Sequence, residues 1–223
     1  QYQIETSHLL NALISLGTVL GLGKLSKELF NRKVGKLAFL ILFFYPVFFG
    51  HMGFNASDTI LAFGHVWIFY YVIKYLKKQN NREKIQNYIL CIAILAAAAT
   101  GVQLVFLGSF IPVFIFIFLD IFFTKKFIAK KFNKQVFFYD FFKCFLIFYL
   151  LLALFWIDTH SNIFVMPFKI VLETFSSSFW TGWPYNLLNG EYFFTNETPK
   201  TYLIISLFYK TPEYFLLTYL LFI

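Results

Sequence analysis

Long apolar runs punctuated by three lysine-dense loops leave this chain one broad class of fold. The runs cover residues 8–23, 34–50, 59–76, 85–100, 104–123 and 136–157, and another opens at Glu213. An α-helix needs roughly 20 such residues to cross the hydrocarbon core of a bilayer. The loops carry Lys24, Lys27, Arg32, Lys33 and Lys36, then Lys74, Lys77, Lys78, Arg82 and Lys84, then Lys125, Lys126, Lys130, Lys131 and Lys134. They hold fifteen of the nineteen basic residues. Only 13% of the chain is charged, where a soluble domain is about a quarter charged. The expected fold is an all-α polytopic membrane protein, a bundle of about seven transmembrane helices.

Charge also predicts orientation. Short loops rich in Lys and Arg stay in the cytoplasm, so the net charge of +8 reads as a topology signal. The same lysines do not argue for nucleic acid, because they punctuate membrane spans. The alternate loops hold Asp58, Asp158, Glu173, Glu191 and Glu197 and are expected outside. The chain opens without Met and stops inside an apolar run. Residues 1–223 are therefore expected to be a single transmembrane domain truncated at both ends.

In chain order, residues 1–7 read as the tail of an outer loop. Gly17, Gly21 and Gly23 allow close helix approach in the first span. Gly21-Leu22-Gly23 has no preceding strand and is no nucleotide loop. Pro112 is expected to kink the 104–123 span. Asp140 and Lys143 have i,i+3 spacing and are expected to pair. Residues 158–199 form one long outer loop, partly ordered, with Trp180, Trp183, Tyr185 and Tyr192 and the turn residues Pro184, Asn189 and Gly190. Cys91 and Cys144 lie inside spans and make neither a disulfide framework nor a metal pair.

The polar exception is the stretch 45–58, YPVFFGHMGFNASD, a short reversal between two spans. It gathers His51, Asn55, Ser57 and Asp58, and ionisable residues beside lipid are costly to keep without a function. Two roles are open to Asp58: a helix N-cap and a catalytic carboxylate. His51 is either an interfacial histidine or functional. His65 lies two helical turns beyond Asp58 on the same face; it either extends a polar cleft or joins helices. The aromatic residues of the outer loop either anchor at the headgroups or stack on sugar, and Lys210 either snorkels or meets a phosphate.

Three groups of residues carry a resemblance. HLLNAL from His8, PVFFGH from Pro46 and FNASD from Phe54 resemble the polyprenyl-phosphate-sugar-dependent glycosyltransferases, the protein O-mannosyltransferase-like enzymes with the GT-C fold. Downstream, Asn189-Gly190-Glu191, Pro199, Tyr202 and Thr211-Pro212-Glu213 resemble that family's N-G-E…P-x-x-Y…T-P-E stretch. The resemblance implies a multi-pass enzyme of the plasma (inner) membrane. It would move a sugar from a polyprenyl-phosphate carrier to a lipid, glycan or protein acceptor on the extracytoplasmic side. It implies catalytic roles for Asp58 and His51, with the main base upstream of Gln1, and substrate contacts from Asn55, Gln103, Asn189, Glu191, Tyr202 and Lys210. Gln103 stands where the family often has Arg, which alters one phosphate contact. A divalent metal is the one cofactor the resemblance admits. The 51–58 turn and the 183–213 stretch are expected to converge on one outer cleft. A transporter or flippase of lipid-linked sugars is the alternative; it would show repeated halves or paired breaks at mid-membrane, and only Pro112 interrupts a span.

Overall fold

The computed structural model describes residues 2–79, 82–125, 128, 132–157, 160–175, 184–194 and 197–222. The expectations resting on Lys126, Lys130, Lys131, Asp158, Trp180 and Trp183 lie outside the described residues. Apolar runs become helices because a backbone in hydrocarbon must satisfy its own N–H and C=O groups. They are α1 (Tyr2–Leu29), α2 (Arg32–Phe43), α3 (Pro46–Phe54), α4 (Ala56–Lys78) and α5 (Arg82–Val102). A 3-10 helix (Leu104–Phe110) leads into α6 (Ile111–Leu119), which ends in a π turn (Asp120–Thr124). Then come α7 (Lys134–Phe155), α8 (Met166–Phe175), a hairpin of β1 (Tyr185–Leu188) and β2 (Glu191–Phe194), α9 (Tyr202–Lys210) and α10 (Glu213–Phe222). Among the described residues, five helices are long and apolar enough to cross a membrane, or six spans if the α2–α3 pair, bent by 62°, counts as one. That is the make-up of a multi-pass helical membrane protein. The run opening at Glu213 is helical over the ten residues of α10.

Several local expectations change. Residues 2–7 are the first turns of α1 rather than loop. The 34–50 span is two helices, because Pro46 occupies the first turn of α3 and cannot continue α2. Pro112 lies in the first turn of α6, where the 3-10 helix passes into α-helix within the 106–124 span. Asp140 does not pair with Lys143. Its Oδ2 accepts from the Tyr75 hydroxyl at 2.9 Å, while Lys143 Nζ donates to Gln86 at 2.6 Å. Facing helices offered both side chains nearer partners than the next turn of their own. The stretch after α7, expected as a partly ordered loop, contains α8 and the β1–β2 hairpin.

Contacts between the spans fix their directions. Gly17 lies at Phe63, Gly21 at Trp67, and Glu28 at Lys74 and Lys77, so α1 and α4 run parallel. α5 returns beside α4, with Ile85 against Tyr75 and Leu76 and Ala99 against Ile68. α6 descends again, and α7 rises with Cys144, Phe148 and Leu152 packed along α5. The described lysines of the three loops therefore share one end, the basic end. His8, residues 51–58 and residues 101–103 share the other. Near the basic end Gln79 bonds both the N–H and the C=O of Asn133, at 2.7 and 2.9 Å, while the Asn133 side chain caps α7. An apolar cavity of about 310 Å³ lies among α4, α5, α6 and α7, with Phe114, Phe118, Phe138 and Phe141 in its wall and Asp140 among its few polar groups.

Glycine sets the α1–α2 distance. A Cβ on Gly35 would stand 2.7 Å from the Gly23 carbonyl oxygen and 2.8 Å from Lys27 Cβ. Backbone cannot yield as a side-chain tip can. Gly35→Leu is expected to cost about 1–3 kcal/mol by overpacking, read as a lower thermal midpoint in detergent, whereas Gly50→Ala, with open space around it, should fall well short of that.

Candidate active site

One residue ends α3 and begins α4. The Asn55 N–H donates to the His51 carbonyl at 3.0 Å, closing α3. Its Oδ1 accepts from the Asp58 N–H at 3.3 Å, capping α4. The N-cap role weighed for Asp58 therefore belongs to Asn55, and Asp58 sits three residues on, in the first turn. In a capping box the third residue would bond the cap's own N–H. Here α3 already uses that N–H, so the Asp58 carboxylate accepts from the Asn55 side-chain amide at 2.7 Å instead.

The same amide nitrogen lies 2.8 Å from His51 Nδ1. An amide NH₂ only donates, so His51 Nδ1 accepts and the imidazole carries its proton on Nε2. His51 Nδ1 and Asp58 Oδ2 are 3.6 Å apart. Asn55 thus bridges both catalytic candidates. The Asp58 side chain is 62% exposed, an acceptor open to an arriving group. An acid in a helix's first turn is also favoured by the helix dipole.

Two buried residues hold this constellation. Asn11, 3% exposed, donates to the carbonyls of His51 and Met52 at 3.2 and 3.1 Å and accepts from the Thr59 hydroxyl. Thr59, 1% exposed, also has the Asn55 carbonyl 2.9 Å from its hydroxyl, which competes with Asn11 for the one proton. His8 adds a bond to the Gly53 carbonyl. These contacts tie α1 to α3 and α4. Neither Asn11 nor Thr59 stood among the sequence candidates; the available signal was an amide in the middle of an apolar run. A groove of about 550 Å³ opens between the starts of α1 and α4, lined by polar Gln3, Thr6, Ser7 and Asn11 together with Leu10 and Ala56.

The other candidates are placed as follows. Gln103 is exposed between α5 and the 3-10 helix, at the same end as Asp58. Asn189 and Gly190, with φ of 52° and 86°, form the tight turn of the β1–β2 hairpin, where two positive φ values suit Asn-Gly. Glu191 is the exposed partner of Leu188 in that hairpin. Tyr202 opens α9 and Lys210 ends it; the Lys210 side chain lies outside the described residues. The structure brings His51, Asn55 and Asp58 together. The hairpin packs on α9, and Tyr45, the residue before α3, meets Phe215 of α10 edge to face with ring centroids 5.3 Å apart; neither residue belongs to the 51–58 turn or the 183–213 stretch. His65 proves a helix joiner: it bonds Ser109 at 2.6 Å and stacks on Phe110.

A metal would find His51 and Asp58 here. Hard cations take about six oxygen ligands, and among the described residues no three His, Cys, Asp or Glu side chains gather. The described residues do not make up a metal site. Comparison of the chain with protein-family models, curated proteins and solved structures found no match.

Proposed function

We propose that this chain is a membrane glycosyltransferase with a GT-C-type helical scaffold. It takes a sugar from a polyprenyl-phosphate carrier and delivers it to an acceptor on the extracytoplasmic face. The observation that carries the reading is the exposed Asp58 carboxylate held against His51 by one amide, at the end of the bundle opposite the lysines. The HLLNAL, PVFFGH and FNASD stretches supply all its members, including Asn11.

The chemistry follows from the groups. An acceptor hydroxyl attacks the anomeric carbon, and a bond from that oxygen forms. The bond from the anomeric carbon to the phosphate oxygen breaks, and the lipid phosphate leaves with the electron pair. The acceptor proton passes to a carboxylate. Asp58 accepts a hydrogen bond from the acceptor and orients it. His51, protonated on Nε2, donates to the sugar or its phosphate.

The reading requires the basic end to be cytoplasmic. With Cys91 and Cys144 replaced, a cysteine at Ser161 is expected to react with an impermeant reagent added outside intact cells. A cysteine at Lys33 should react only after lysis; the reverse pattern inverts the topology. The function itself is tested by giving membranes containing the protein a radiolabelled polyprenyl-phosphate sugar. Label should appear in an acceptor with release of the lipid phosphate. Intact lipid-linked sugar crossing the bilayer without bond cleavage would replace the enzyme with a transporter.

A further inference from the structure

A second site lies at the basic end, between α1 and α2. Lys24, Lys27, Arg32 and Lys36 are among the residues lining an open, mostly apolar hollow of about 420 Å³. The close approach of Gly23 and Gly35 lies at its floor. No described carboxylate neutralises Lys27, Arg32 or Lys36. Glu28, the acid nearest in sequence, is held on the α4 side by Lys74 at 2.5 Å and Lys77 at 3.4 Å. Lys24 is steadied over the Trp67 ring, 5.0 Å from its centroid. The first N–H groups of α2 are not the attraction, since Asn31 Oδ1 accepts from Lys33 and Val34.

The order of side chains along both helices matches an amphiphile. Leu20 precedes Lys24 by one turn on α1, and Leu40 follows Lys36 by one turn on α2. Because the two helices run in opposite directions, both leucines lie about 6 Å further into the span than the cations. The four basic residues therefore lie toward the basic end of the hollow and the leucines further in, and the wall itself is mostly apolar, with long side-chain stems able to carry their charges to its rim. Basic pockets of this kind between spans bind lipid phosphates. Charge on the loops alone would satisfy topology without four basic residues lining one hollow. We propose that this hollow is a binding site for one anionic phospholipid of the leaflet at the basic end, its phosphate among Lys27, Arg32 and Lys36 and its chain along Leu20 and Leu40. The site is separate from the Asp58 constellation and does not depend on its chemistry.

The test uses the whole chain in nanodiscs of phosphatidylcholine containing phosphatidylglycerol, with retained lipid counted by native mass spectrometry. The wild type should keep one phosphatidylglycerol in preference to phosphatidylcholine. K27Q/R32Q/K36Q should lose it by roughly a hundredfold, taking each nearby cation as worth about fivefold. K33Q/K78Q/K84Q removes the same charge from exposed positions outside the hollow and should stay within about twofold, while K27R/K36R should bind like the wild type. If the triple variant fails to insert, the single substitutions are read instead, each at about fivefold. Equal losses in both triple variants, or no preference for phosphatidylglycerol, would overturn the site. Displacement by millimolar inorganic phosphate would make it a soluble-phosphate site and overturn the lipid assignment.

Discussion

Asp58→Asn is expected to lower sugar transfer by about 10²–10³ while leaving folding nearly unchanged. The amide oxygen of the new side chain can still accept from Asn55, as Asp58 Oδ2 does at 2.7 Å. The α4 cap survives as well, because Asn55 rather than residue 58 supplies it. What disappears is the charge. Its interaction with the helix dipole is worth about 0.3–1 kcal/mol, so the thermal midpoint should move little. A charge that orients the acceptor at the reacting centre is worth far more in rate. Transfer from a polyprenyl-phosphate sugar, assayed in membranes from the full-length protein at matched expression, separates the two effects. An Asn variant with undiminished activity would leave Asp58 as a dipole partner alone and remove it from the proposed chemistry.

The largest structural effect is expected from Asn11→Leu. That substitution removes two donors to α3 carbonyls and the acceptor of the Thr59 hydroxyl. Side-chain hydrogen bonds between membrane helices are worth about 0.6–1.7 kcal/mol each. Losing three should cost about 2–5 kcal/mol, visible as a lower thermal midpoint in detergent. Transfer should fall with it, by as much as about 10²-fold, because a displaced α3 misplaces His51 against the acceptor. Asn11→Asp divides the contributions: it keeps an acceptor for Thr59 but cannot donate to the His51 and Met52 carbonyls. If Asn11→Leu keeps both stability and transfer, α3 is held by other contacts, of which His8 to Gly53 is the nearest.

What could be read in the chain depended on range. Spans were legible because burial in lipid needs only a sustained apolar run, whereas the division of the 34–50 run into two helices at Pro46 was not read from its apolar length. Asn189-Gly190 was legible as a turn, since positive φ is a local demand, although the short strands flanking it were not. The ends of helices read less well. In N-A-S-D both Asn55 and Asp58 are good caps, and the choice was made by α3, which consumes the Asn55 N–H. Asp140 and Lys143 had the right spacing to pair, but Tyr75 and Gln86 lie on facing helices. The Asn11–Thr59 bond joins residues 48 positions apart, and nothing local in either span announces the other.

Asn55 serves both helices at once, and this makes the site sensitive to chain length. Elsewhere a loop between spans can gain a residue and bulge into water. Here no spare residue separates α3 from α4. One residue inserted after Met52 would turn the His51 side chain by about 100° around the α3 axis relative to Asp58. One inserted between Asn55 and Asp58 would change which residue caps α4. Homologous chains sharing this chemistry should therefore vary freely in the length of the segment after α7, yet keep the count from His51 to Asp58 fixed, whatever apolar residues stand between.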